Sequence, residues 1–231
     1  NDGPLHITRG PRDNPLHHAF VKASLQAGYK MTADYNGYRQ EGFGPADMTV
    51  WKGRRWSTAN AYLKPAMKKG KVRLFTRTLA DRILFEGRRA VGVRVWRKGK
   101  YQDIIARKAV ILSAGAIASP AILQRSGIGC ADTLQGFGIE GIANRKGVGE
   151  NLQDHLEVYF QIACRKPITL YKHLNPVSKG FIAAQWLFFK SGLGASNQFE
   201  TLGFIRSDKN IPYPDIQYHF LPVAIRYDGT A

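Results

Sequence analysis

The chain has 231 residues, 44% of them hydrophobic, 22% charged and 11% aromatic. That is enough apolar material for one large domain or two modest ones, and it excludes wholesale disorder. Its 34 Lys and Arg against 17 Asp and Glu leave a formal net charge of +17, a field that favours a phosphorylated cofactor, an acidic membrane surface or nucleic acid. Most of the excess is early: residues 1–100 carry 21 basic against 7 acidic residues, and residues 151–231 carry 8 against 6. A solvated basic face, or one balanced by an acidic segment outside this chain, is the plainer reading, because net charge specifies function weakly.

Two cysteines, Cys130 and Cys164, stand far apart in no metal-ligand pattern. A reducing compartment fits, and neither a metal site nor a disulfide framework is expected. The first residues contain no signal-like apolar stretch. No apolar run approaches the roughly 20 residues of a membrane helix. The run Phe181 to Phe189 is about half that length by the same measure and reads as a core helix. The chain opens at Asn1 and closes after a turn-like DGT, so it reads as a segment cut from a longer one.

In chain order, Gly3 to Thr8 reads as a short strand. A helix follows, with Asn14 as N-cap, Pro15 at its first position and Gly28 as its stop. Leu16, Phe20, Ala23 and Ala27 form its apolar stripe. Asn36-Gly37 and Gly42-Phe43-Gly44-Pro45 mark turns and loop. Ser57 or Thr58 caps a short helix that meets Pro65. Residues 72–112 read as successive strands turning at Gly87 and Gly99, with Val91, Val93 and Val95 at the two-residue period. Val110-Ile111-Leu112 reads as a buried parallel strand before a tight turn into a helix. Ser119-Pro120 begins that helix and Gly127 ends it. The last third mixes two strand-like pieces, VYFQIAC and DIQYHFLPVAI, with a helix around Trp186. The order of elements predicts an α/β, mixed α+β protein whose flanks return to form a second domain.

Three stretches carry chemistry. In the first, GAIASPAILQRSGIG from Gly115 to Gly129, Gly115 permits a sharp turn and close approach to a ligand. The helix start behind it presents free N–H groups that suit a diphosphate; simple packing of strand on helix explains the same pattern. No GxGxxG fingerprint is present. The second, GVGENLQDHLE from Gly147 to Glu157, holds Asp154-His155, which reads as a turn or as a charge-relay pair. Glu157 by itself reads as a surface strand residue. The third, DIQYHFLP, holds His219, a position usually filled by a satisfied core histidine.

The fifteen residues of the first stretch are similar to the second signature of the glucose-methanol-choline oxidoreductase family. Gly115, Ala116, Ser119, Pro120, Ile122, Leu123, Ser126, Gly127, Ile128 and Gly129 fill its fixed positions. GVGENLQDH resembles a further family segment, and EGFGPADMTV, GASNQFETLGFIRS and PDIQYHFLPVAI resemble its choline-oxidising branch. The resemblance runs almost continuously from Gly3 to the end.

The resemblance implies FAD as cofactor, in a partial Rossmann-like domain, beside a substrate domain with an antiparallel sheet. The expected division is 1–50 for the substrate domain, 51–150 for part of the FAD-binding domain and 151–231 for the substrate-binding domain. It implies choline or a similar small alcohol as substrate, oxidised by hydride transfer to flavin, and it implies no metal. Glu157 would lie at the trimethylammonium group, where a carboxylate or an aromatic face must do the holding because the group has no N–H. Phe199 would supply the aromatic wall. His219 would contact the substrate hydroxyl and stabilise the developing alkoxide, with His155 also near the site.

For FAD, the backbone at Ala80, where relatives usually carry Val, would meet the adenine edge, and Ala114 and Gly115 the ribose and phosphates. His6, His17, His18 and His173 match no catalytic position. The family's N-terminal fingerprint and its His-Pro segment with a further catalytic His have no match here, so the 231 residues alone are expected to be inactive. Alternatives are another alcohol as substrate or, more remotely, a basic binding module built on WKGRRW, Trp51 to Trp56. No nucleic-acid partner is expected and the electron acceptor is open. The location implied is cytoplasmic, with peripheral docking on the inner face of a membrane as a variant.

Overall fold

The structure is a computed structural model and describes residues 3–226. In chain order the elements of its two three-stranded sheets and its three longest helices are α1 (Pro15–Gln26), β1 (Gly42–Pro45), β2 (Leu79–Glu86), β3 (Arg89–Arg97), β4 (Lys100–Ile105), α2 (Gly115–Arg125), α3 (Pro176–Phe189), β5 (Thr201–Ile205) and β6 (Ile216–Phe220). Two compact units result. One comprises the chain up to Val72 and from Tyr159 onward; the other is Arg73–Val158. The architecture is mixed helix and sheet, with antiparallel three-stranded sheets.

In the first unit, β5 lies between β6 and β1, antiparallel to both. Gly203 of β5 pairs with Phe43 of β1, and a Cβ on Gly203 would run into the Phe43 ring. A small residue is therefore required where that ring lies across the sheet. Phe20 of α1 stacks on Phe220 at 4.6 Å and meets Phe43 edge-on at 5.4 Å, so one aromatic cluster joins helix to sheet.

The helix α1 begins as its sequence predicts: Asn14 accepts the Leu16 N–H at 2.9 Å and Pro15 occupies the first position. Gly28, at φ +89°, ends it. Its buried face differs from the predicted stripe. His17, Val21 and Ser24 are buried, while Ala23 and Ala27 are exposed. The helix is turned so that His17 meets the buried Thr201, the first residue of β5, and Glu200 just before it.

The structure departs from the sequence pattern in several places. The first strand is only Thr8–Arg9, paired with Asp47–Met48. The helix at Ser57 does not stop at Pro65: a wide-turn segment, Ala59–Leu63, leads into Lys64–Lys68. The widening, in which Lys64 N–H reaches the Ala59 carbonyl, relieves the crowding a proline ring causes in the preceding turn. The helix α3 forms, but it is no core helix. None of its residues is buried, and Phe188 is 74% exposed. It is held from one side, where Trp186 donates its indole N–H to the Gly53 carbonyl at 2.7 Å. The segment VYFQIAC lies outside any strand, with Val158, Phe160 and Ile162 exposed.

In the second unit, β2, β3 and β4 form a meander turning at Gly87 (φ +58°) and Gly99 (φ +76°), as predicted. Val110-Ile111-Leu112 is not a strand. Ile111 is 89% exposed, and no described strand pairs with the run; a parallel strand needs hydrogen-bonded neighbours and cover on both faces. The helix α2 starts at Gly115 rather than Ser119, so Pro120 lies inside it. This costs one bond, to the Ala116 carbonyl, and the Ser119 hydroxyl accepts the Ala114 N–H at 2.9 Å. At the other end, Ser126 Oγ accepts the Ile83 N–H at 2.8 Å and donates to the Ile122 carbonyl at 2.6 Å. That hydroxyl ties helix to sheet beside the buried Ile83, Val95 and Ile122.

Candidate functional site

The expected site residues fall in both units. In the unit Arg73–Val158, Ala80 is half-buried on β2 next to a register shift, pairing with Val95 while Arg82 pairs with Arg94. Ala114 and Gly115 are exposed at the start of α2. Gly115 has φ +88°, and nothing lies within 4 Å of where its Cβ would stand. An open approach, a left-handed backbone and a helix N-terminus whose first N–H groups lack intrahelical partners together fit a phosphate-bearing cofactor.

His155 and Glu157 are exposed, in a stretch outside any helix or strand. Asp154 accepts the backbone N–H of His155 at 2.8 Å.

In the other unit, the structure brings Phe199 and His219 together. Their rings meet edge to face with centroids 6.0 Å apart and planes at 89°. The reason is register: Leu202 of β5 opposes His219 of β6, which places the residues before β5 alongside the end of β6.

The residues that follow Phe199 in the chain join a polar cluster that the sequence did not reveal. His17 is 1% exposed, Glu200 4% and Thr201 0%. His17 Nδ1 is 3.0 Å from Thr201 Oγ1, and its Nε2 is 3.7 Å from Glu200 Oε2. Glu200 also accepts the Arg12 N–H at 2.6 Å and the Ser196 hydroxyl. Burial pushes His17 below the ordinary histidine pKa; Glu200 opposes this and Arg12 and His18 reinforce it. The one available signal was Glu200 itself, a carboxylate set between Phe199 and the β-branched and apolar run of β5.

The Trp51–Trp56 stretch forms a tight hairpin, Val50–Trp51 against Arg54–Arg55. His6 stacks on Trp51 at 4.0 Å, and Trp56 donates to the Pro4 carbonyl. These aromatic contacts are internal. Among the described residues no group of three His, Cys, Asp or Glu could hold a metal ion, and no helix is long and apolar enough to cross a membrane.

The fold is that of a segment of a larger mixed helix-and-sheet enzyme architecture. Formate oxidase from Aspergillus oryzae, 23% identical, superposes with a TM-score of 0.78 over 87% of this chain and 36% of its own, which shows the fold. The profile described as GMC oxidoreductase matches residues 2–157. The chain belongs to the GMC oxidoreductase family. Proteins named oxygen-dependent choline dehydrogenase from Brucella anthropi and Sinorhizobium fredii are 58% and 56% identical over 230 residues. The match covers 100% of this chain and 42% of each relative, so the chain spans less than half the length of the curated relatives it matches.

Proposed function

We propose that the polypeptide carrying this chain is an FAD-dependent alcohol oxidoreductase that takes choline to betaine aldehyde. The observation that carries the reading is the 58% identity, extending over the whole chain, to a protein named oxygen-dependent choline dehydrogenase. We assign Arg73–Val158 to the cofactor side. Ala80 would present backbone groups to the adenine, and Ala114 and Gly115 would admit the diphosphate. Flavin, when bound, supplies the two-electron oxidant; the protein contributes positioning and electrostatics.

Glu157 holds the trimethylammonium by charge alone, since that group offers no N–H. Phe199 walls the substrate with an aromatic face. His219, steadied by the Phe199 ring, hydrogen-bonds the hydroxyl and stabilises negative charge as it builds on the oxygen. His155 is a further imidazole near the site. The test is choline-dependent dye reduction by the flavin-loaded protein, with Glu157→Gln raising KM for choline. Turnover of other alcohols with choline inert would sink the substrate assignment.

Peripheral contact with an anionic membrane is a second reading. It is favoured by the exposed Leu187, Phe188 and Phe189 at the end of α3 and by a net charge of +17.

A further inference from the structure

In the unit that carries His17, a cavity of about 780 Å³ opens between the start of α1, the helix α3 and the segment leading into β5. Its volume is that of a small-molecule site. Two of its lining residues are ionisable and buried: the His17 and Glu200 side chains are 1% and 5% exposed. Val177, Phe181, Ile182 and Leu193 form its apolar side.

The polar floor is incompletely used. A carboxylate offers about four acceptor positions, and Glu200 fills two with the Ser196 hydroxyl and the Arg12 N–H. The His17 Nε2 contact, at 3.7 Å, is too long for a hydrogen bond. His17 Nδ1 is committed to Thr201. Arg12 reaches Glu200 through its backbone, and its buried Nε has no hydrogen-bond partner. Each Glu200 oxygen thus accepts one hydrogen bond, and the carboxylate, 5% exposed in the cavity lining, keeps capacity for a cationic donor.

We propose that this cavity is a ligand site of its own, taking a small protonated alkylamine whose N–H groups bond Glu200 and whose alkyl part lies against Val177, Phe181 and Ile182. The unused capacity is directional, so an ammonium with N–H groups is favoured over a quaternary one. That separates this site chemically from Glu157, which belongs to the other unit. The inference stands independently of the choline reading.

The test is calorimetric titration of the intact protein with n-butylammonium chloride, alongside choline chloride and sodium chloride, with the His17 imidazole followed by NMR. Saturable binding with a dissociation constant on the order of 1 mM is expected for a ligand of about five heavy atoms. It should be at least tenfold tighter than choline, with a saturating shift at His17. Glu200→Gln should weaken it at least tenfold, and Glu86→Gln, exposed on β2, should not change it. Phe181→Ala, on the exposed rim, should weaken it several-fold and serves if Glu200→Gln does not fold. Absence of saturation, equal response to choline, or equal loss in the Glu86 variant overturns the proposal. So does finding the cavity filled by a lysine or arginine of the same polypeptide.

Discussion

The His17–Thr201 pair gives the sharpest test of how the first unit is held together. Thr201→Val keeps the shape and removes one hydroxyl that is 0% exposed and 3.0 Å from His17 Nδ1. The imidazole nitrogen is then left buried without a partner, at a cost of about 1–3 kcal/mol. His17→Leu orphans the hydroxyl instead and should cost a similar amount, about 1–3 kcal/mol. The double variant removes both partners, so the losses should not add; a coupling of about 1–2 kcal/mol is expected.

A pH signature distinguishes this from generic packing loss. Burial holds the folded His17 pKa below its ordinary value. The unfolded chain, titrating near about 6.5, therefore takes up a proton before the folded one does. The contribution is fully present above about pH 6.5 and is lost as pH falls below it towards the folded value. His17→Leu should flatten that arm. Urea unfolding at pH 8 and pH 5.5, with hydrogen exchange of the Leu202 and Gly203 amides as reporter of this unit, measures both effects. A Thr201→Val change within about 0.5 kcal/mol of zero, or an acid arm unchanged in His17→Leu, would refute the reasoning.

Gly203→Ala should destabilise the same unit by about 1–3 kcal/mol through overpacking, because the new Cβ meets the Phe43 ring; near-ultraviolet circular dichroism of the aromatic cluster should weaken with it. Vesicle co-sedimentation tests the membrane reading. Retention should be greater on anionic than on neutral vesicles, should fall with salt, and should fall again in Phe188→Asp.

What the sequence made legible is local and backbone-borne. Asn14-Pro15 with Gly28 bounds α1, and Gly87 and Gly99 set the turns of the meander, because caps and left-handed glycines act through the chain's own hydrogen bonds and sterics. The register-dependent part was not legible. That His17 rather than Leu16 and Ala23 faces inward depends on Thr201 and Glu200, almost two hundred residues away in sequence. Pairing of Phe199 with His219 likewise follows from the β5–β6 register, which no short motif encodes.

The misread segments share one cause. The run Val110-Ile111-Leu112, the stretch VYFQIAC and the helix α3 are apolar in pattern yet exposed among the described residues. Apolar periodicity reports that a segment wants cover, not which residues supply it. Glu157 sits in such a stretch, between the exposed Leu156 and Val158, and this bears on how strongly it can select choline. An ion pair left in water contributes about 0–1 kcal/mol. The same pair at an effective dielectric of 20 attracts by about 4 kcal/mol at a separation of about 4 Å, before desolvation. Glu157→Gln in the flavin-loaded protein therefore gauges the cover. A rise in choline KM of tenfold or more, with kcat largely kept, means that the flanking apolar residues are covered in the working enzyme and the carboxylate holds the ammonium in a partly dry site. A rise below about fivefold is what a solvated pair gives, and it would remove Glu157 as the selecting residue and leave the aromatic face of Phe199 to carry recognition.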